Sequence, residues 1–232
     1  MAVTRDTNPF GPGVVRFLRD LEANNNRTWF ERNKQRYETE VREPALEFIR
    51  LMAPRLEKIS KLMVASDKKV GGSLMRIHRD VRFSRDKRPY KTNVGIQFRH
   101  QAGKDVHAPG FYFHIDPKSV FLGAGMWHPE PDALAAIREA MVDDPKAYRA
   151  ALRATAFKAG FALGGESLTR APKGYDPEHP LIDALRRKDH IAVLNLTPKD
   201  ATRPDLADYV AKQWAQTKPF MTFLTNAVGL PF

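Results

Sequence analysis

FYFHIDPKSVFLGAGMW, residues 111–127, writes a two-residue period into the middle of the chain. Phe111, Phe113 and Ile115 alternate with Tyr112, His114 and Asp116, the period of a strand with one apolar and one polar face. Pro117 and Lys118 mark a turn. The chain then resumes as a second strand, with Phe121, Gly123, Gly125 and Trp127 along the stripe that faces the same side as His114. Just upstream, Val94, Ile96 and Phe98 of VGIQFRH share another apolar face. Three such strands in succession read as an antiparallel meander.

Outward from the meander the period becomes helical. Val14, Phe17, Leu18 and Leu21 line one side of a short helix that ends in an Asn run. Asn26 is a good N-cap for a second helix carrying Trp29, Tyr37 and Val41. Pro44 suits a first turn, and Ala45, Phe48, Ile49, Met52, Leu56 and Ile59 continue an apolar stripe in which Pro54 is a possible kink. After the meander, two helices are expected over about 130–157. A weaker strand arm follows near 161–170, then a short helix over 181–189, a strand at 191–197 and a closing helix over 205–228 that Pro219 should split. Helices, then strands, then helices make an α+β chain rather than an alternating β–α array. The expectation is one domain over residues 1–232, with no repeat and no linker. Its sheet should be largely antiparallel, built from 74–83, 94–100, 111–116 and 119–126. Helices from 28–60 and 203–226 should cover the sheet's apolar face.

The charge is uneven. The formal net charge is +11, and RIHRDVRFSRDKRPYK, residues 76–91, holds seven Arg or Lys against two Asp, so +5 of the +11 falls in sixteen residues. Read as a strand, 74–83 turns Met75, Ile77, Val81 and Phe83 to one side and Arg76, His78, Asp80 and Arg82 to the other. Asp80 can hold a guanidinium in a fork. The loop after it adds Arg85, Lys87, Arg88 and Lys91. Donors that outnumber acids in one place suit phosphate or carboxylate recognition. Arg79 interrupts the apolar alternation and is assigned a structural role, at a bulge or paired with an internal carboxylate.

Several classes of chemistry are unsupported. There is no cysteine, which excludes disulfides, thiolate metal sites and a cysteine nucleophile, and fits a reducing, cytoplasmic setting. No run approaches a membrane span, and the first residues lack the apolar region of a signal peptide, so no membrane partner is expected. P-loop, dinucleotide-binding, nucleophile-elbow and zincin motifs are absent. His114 and Asp116, with His107 or His128, lack the spacing of a recognised metal site, and no metal is assigned.

The segments NNNRTWFERNKQRYE, RIHRDVRFSRDKRPYKTNVG, FYFHIDPKSVFLGAGMW, LTRAPKGYDPEHP and RRKD, in this order, resemble the family catalogued as domain of unknown function 2461. The resemblance runs along nearly the whole chain. It implies a cytoplasmic protein of bacteria and fungi with one α+β domain, and no established activity. It marks Arg76–Lys91 and His114–Trp127 as hallmark blocks. His78 departs from it, because Tyr is commoner there.

The leading expectation is therefore a basic pocket for an anionic ligand, a phosphorylated small molecule or nucleotide. Arg76, Arg82, Lys87 and Lys91 would be its donors, with Tyr112 and Trp127 as walls. Gly123 and Gly125 would be structural, letting another group approach. If the protein is an enzyme, His114 or Asp80 is the candidate general acid/base. Two alternatives compete: a nucleic-acid binding module using the same basic block on phosphates, and a non-enzymatic structural or partner-binding protein whose arginines pair internally. The residues do not reveal cofactors or oligomeric state.

Overall fold

The computed structural model describes residues 6–103 and 108–232; Met1–Arg5 and Lys104–His107 lie outside the described residues. Five strands form one sheet in the order β1-β2-β3-β5-β4, every neighbouring pair antiparallel: β1 (Val94–Arg99), β2 (Gly110–Ile115), β3 (Val120–Met126), β4 (Ala162–Gly164) and β5 (His190–Leu196). The α+β class and the central meander are as expected. Phe113 stands opposite Ile96 on one side and Leu122 on the other, so the three apolar faces merge into one.

The helices follow the periodicity. α1 (Gly13–Ala23) buries Val14, Phe17, Leu18 and Leu21. α2 (Arg27–Arg32) starts at Asn26, whose side-chain oxygen accepts from the Trp29 N–H at 2.9 Å. α3 (Lys34–Arg36) passes through a π-helical turn (Tyr37–Arg42) into α4 (Glu43–Glu57), which buries Ala45, Phe48, Ile49, Met52 and Leu56. After the meander come α5 (Pro131–Asp143), α6 (Pro145–Leu152), α7 (Thr155–Lys158), α8 (Ile182–Leu185) and α9 (Pro198–Ala201). The closing helix divides into α10 (Leu206–Gln216) and α11 (Lys218–Ala227), with Pro219 in the first turn of α11, as its lost N–H demands.

The inward sheet face is covered by helices at both ends of the chain. Phe48 of α4 stacks on Phe113 with ring centroids 4.8 Å apart, and Trp214 of α10 stacks on Phe111 at 5.0 Å. The outward face carries Gln97, Tyr112, His114, Phe121 and Val193 at intermediate exposure. The β1 edge is protected by two short main-chain pairings. Val64 N–H donates to the Arg99 carbonyl at 3.0 Å, and Met75 N–H to the Gly95 carbonyl at 2.9 Å. At the far edge β4 is only three residues long, which limits its use as a template for a second chain.

Residues 74–83 are not a strand, and here the expectation fails. Only Leu74 and His78 form single bridges, to Ile96 and Tyr90. Beyond Ile77 the chain leaves the sheet and returns at Tyr90 and Lys91, with Lys91 N–H bonded to the Ile77 carbonyl at 2.7 Å and Arg79 N–H to the Pro89 carbonyl at 2.9 Å. The alternation has a local origin. RDVR and RDKR, residues 79–82 and 85–88, are a short repeat in which each Asp accepts from the N–H and guanidinium of the Arg two positions on. These turns supply the bonds a ladder would otherwise supply. Phe83, expected in the core, is 95% exposed at the tip of this loop.

Candidate functional site

Arg76 lies in a cavity of about 210 Å³ between α2–α4 and the segment 68–78. Its apolar floor is Phe30, Tyr37, Leu46, Leu74 and Ile77, and its cationic groups are Lys34, Lys68, Lys69 and Arg76, with His78 beside them. Among the described residues, no carboxylate stands within ion-pair distance of any of these four cations. Arg42, also at the wall, is neutralised by Glu38 at 3.0 Å. Lys91 lies close behind. Burial pushes its ammonium pKa down, and the Arg76 charge adds to the shift.

Local sequence explains the placement. The turn holding Lys68 and Lys69 is closed by Ser66 and Ser73, with Ser66 N–H donating to the Ser73 hydroxyl at 3.0 Å and Ser73 N–H to the Ser66 carbonyl at 2.7 Å. Gly72 permits that closure, since a Cβ there would sit 2.2 Å from the Lys68 carbonyl oxygen. Behind Phe30, Asn25 binds both backbone groups of Tyr90, accepting from its N–H at 3.0 Å and donating to its carbonyl at 2.9 Å. That fixes the Tyr90 ring on Phe30, centroids 4.1 Å apart. Capping explains Asn26 but not Asn25, which acts as a strand partner for Tyr90. The contributions of Lys34, Lys68 and Lys69 were also missed. Isolated lysines on a helix and in a turn carry no pattern that separates them from ordinary surface charge.

The other basic residues singled out from sequence point elsewhere. Arg82, largely exposed, forks onto Asp80 at 2.7 and 3.0 Å and holds that carboxyl down to about 2. Lys87 donates to the Val81 carbonyl at 3.0 Å. Arg79 has the carboxylate partner foreseen for it, Asp86 at 2.6 Å, but in the same loop and only partly buried. Arg88 shares that carboxylate at 2.7 Å. Arg79, Arg82 and Arg88 thus pair within the loop rather than with the N-terminal helices.

His114 is not in the Arg76 cavity. It stands on the outward sheet face in a chain of bonds along β2. The Tyr112 hydroxyl meets His114 Nδ1 at 3.1 Å, and His114 Nε2 meets Asp116 Oδ2 at 2.9 Å. Burial, helped by the Asp116 charge, raises the Tyr112 hydroxyl to about 12, so it donates. His114 then donates from Nε2 to Asp116, and neither ring nitrogen is left for a ligand. Asp116 also accepts from the Lys118 N–H at 2.6 Å, the Ser119 N–H at 2.7 Å and the Ser119 hydroxyl at 2.8 Å, closing the β2–β3 turn. The two candidate acid/base groups therefore stand apart, His114 bonded within the β2–β3 hairpin and Asp80 bonded to Arg82.

The walls differ from expectation as well. Trp127 follows the far end of β3, whereas His114 faces Phe121 at its start, about 20 Å away at strand rise. Gly95 as well as Gly123 packs on Tyr112, and more tightly: a Cβ at Gly95 would lie 2.6 Å from the Tyr112 hydroxyl. Of the other histidines weighed as ligands, His107 lies outside the described residues, and His128 bonds Asp189 at 3.0 Å.

The turn gives a testable pH dependence. Burial alone would raise the Asp116 carboxyl, but hydrogen bonds from His114, Lys118 and Ser119 outweigh it and bring it from 3.8 down to about 2. Its folded pKa lies below its unfolded one, so its contribution is present above about pH 4 and is lost as pH falls through about 2. Asp116→Asn should flatten the acid limb of a stability–pH curve in that window, measured by urea unfolding; a limb unchanged from wild type would place the carboxyl outside these bonds.

A family model described as conserved hypothetical protein (DUF2461) matches residues 13–223. No curated protein matches the chain, and no solved structure does.

Proposed function

The chain belongs to the family of domain of unknown function 2461, whose description names no activity, and for it we propose binding of a small phosphorylated ligand in the basin at Arg76. One observation carries the reading: Lys34, Lys68, Lys69 and Arg76, none of them ion-paired among the described residues, border a single cavity floored by aromatic and aliphatic side chains. Clustered like charges repel unless an anion offsets them, and a phosphate accepts several such donors at once. Phe30 and Tyr37 line the same cavity and supply aromatic contact for an attached base or apolar group.

Binding to single-stranded nucleic acid is the second reading. Phe83, exposed among Arg82, Arg85, Lys87 and Arg88, favours it, because stacking on an aromatic within a basic groove is how such strands are held without sequence preference.

Calorimetric titration of inorganic phosphate, AMP, ATP and a short oligo-dT separates the two. On the first reading, Lys68→Ala/Lys69→Ala/Arg76→Ala weakens nucleotide binding by roughly a hundredfold or more while Phe83→Ala leaves it unchanged. Equal nucleotide affinity in wild type and the triple variant would overturn that reading. Oligo-dT binding that falls with Phe83→Ala and steepens with dilution of salt would establish the second.

A further inference from the structure

The second basic run, Arg186-Arg187-Lys188, belongs to a different part of the molecule, and from its surroundings we propose a second ligand site that takes a monocarboxylate with an apolar body. The site is the cavity between α6, β4 and α8, of about 560 Å³, well within the range of small-molecule pockets. Leu152, Leu163, Leu181 and Ile182 give it aliphatic walls, and Tyr148, Arg186 and Arg187 also line it.

Its polar atoms are unusual. Tyr148 is 1% exposed, yet its hydroxyl has no hydrogen-bond partner among the described residues, and the buried Nε of Arg186 has none either. Buried donors are nearly always bonded, and an unmade bond costs more than a made one returns. Both donors belong to side chains that line one cavity, and an acceptor delivered by a ligand would satisfy them once the side chains turn toward it. Burial raises the Tyr148 hydroxyl to about 12, so it remains a donor across the physiological range.

The surrounding charge favours a single negative charge. Arg187 spends its guanidinium on the Gly164 and Leu163 carbonyls, at 2.8 and 3.2 Å, and no carboxylate among the described residues neutralises it. Arg138 is likewise bound to carbonyls, those of Leu185 and Arg187. Fully buried His190, with neither ring nitrogen bonded among the described residues, is held near a pKa of about 4 by burial and by the charges of Arg187 and Arg138. It is therefore neutral and adds no charge. Arg186 is partly offset by Asp183 at 3.4 Å, an acid that lines the same cavity. A phosphate dianion would meet that acid, whereas a carboxylate carries one charge and two acceptor oxygens, matching the two free donors.

Calorimetry with decanoate, decanol and decyl phosphate tests the assignment. Decanoate should bind saturably to wild type, and Tyr148→Phe and Arg186→Gln should each weaken it about tenfold, the worth of one hydrogen bond. Decanol should bind more weakly and be indifferent to Arg186→Gln. Tyr148→Phe should leave the melting temperature of the free protein unchanged or higher, since it removes an unbonded hydroxyl. The triple variant at Lys68, Lys69 and Arg76 should bind decanoate as wild type does, which separates this site from the basin at Arg76. The proposal is overturned by absent decanoate saturation at millimolar concentration, by equal affinity in all three proteins, by tighter binding of decyl phosphate than of decanoate, or by a lowered melting temperature in Tyr148→Phe.

Discussion

Gly125→Ala should cost more than about 3 kcal/mol of folding stability, an exceptional loss for removing nothing and adding one methyl group. Gly125 has φ +132°, a conformation that L side chains rarely adopt. A Cβ there would lie 2.1 Å from the His190 carbonyl oxygen and 3.0 Å from Ile191 Cα. Both are backbone atoms of β5, so relief requires β3 and β5 to separate at the Gly125–Ile191 pair. Gly123, on the same strand stripe, is the control. Its Cβ would touch Tyr112 Cβ at 3.4 Å, an ordinary contact, and Gly123→Ala should change stability by less than about 1 kcal/mol. Urea unfolding of the two variants reads the difference. Equal losses would contradict the distinction between a tight backbone approach at Gly125 and a roomy position at Gly123.

Trp214→Ala should cost about 3–5 kcal/mol. The ring is fully buried, stacked on Phe111 at 5.0 Å and edge-on to Phe98 at 5.6 Å. It fastens α10 to β1 and β2 together. Its indole N–H has no partner among the described residues, so Trp214→Phe, which keeps an aromatic and deletes that donor, should lose far less than the alanine variant. Denaturation that is equally severe in both would show the N–H to be bonded. Losses near zero in both would detach the C-terminal helices from the sheet.

The fold was legible in the sequence wherever one face of an element meets the core. Phe111, Phe113 and Ile115, like Val14, Phe17, Leu18 and Leu21, repeat at the period of their own backbone, and burial enforces that repeat residue by residue. Position within the sheet was not legible. β5 lies between β3 and β4, some sixty residues after the meander, and its own pattern is satisfied beside any strand with a free edge. The misreading of 74–83 has a related cause. Arg and Asp alternate there because Asp80 and Asp86 bond the arginines two residues on, and such side-chain turns mimic the period of a strand without needing a neighbour.

For the candidate site, the concentration of positive charge near Arg76 and the lack of any cysteine, P-loop or zincin motif could be read from the residues alone. The three-dimensional packing selects which cations share a cavity. It turned Arg82 and Arg88 onto loop aspartates, drew Lys34, Lys68 and Lys69 beside Arg76, and tied His114 to Tyr112 and Asp116 on another face. Range accounts for the difference. Periodicity records what a residue's own strand or helix requires, whereas convergence of charges depends on where Gly72 lets a turn close and where Asn25 holds Tyr90, and these contacts join segments far apart in the chain.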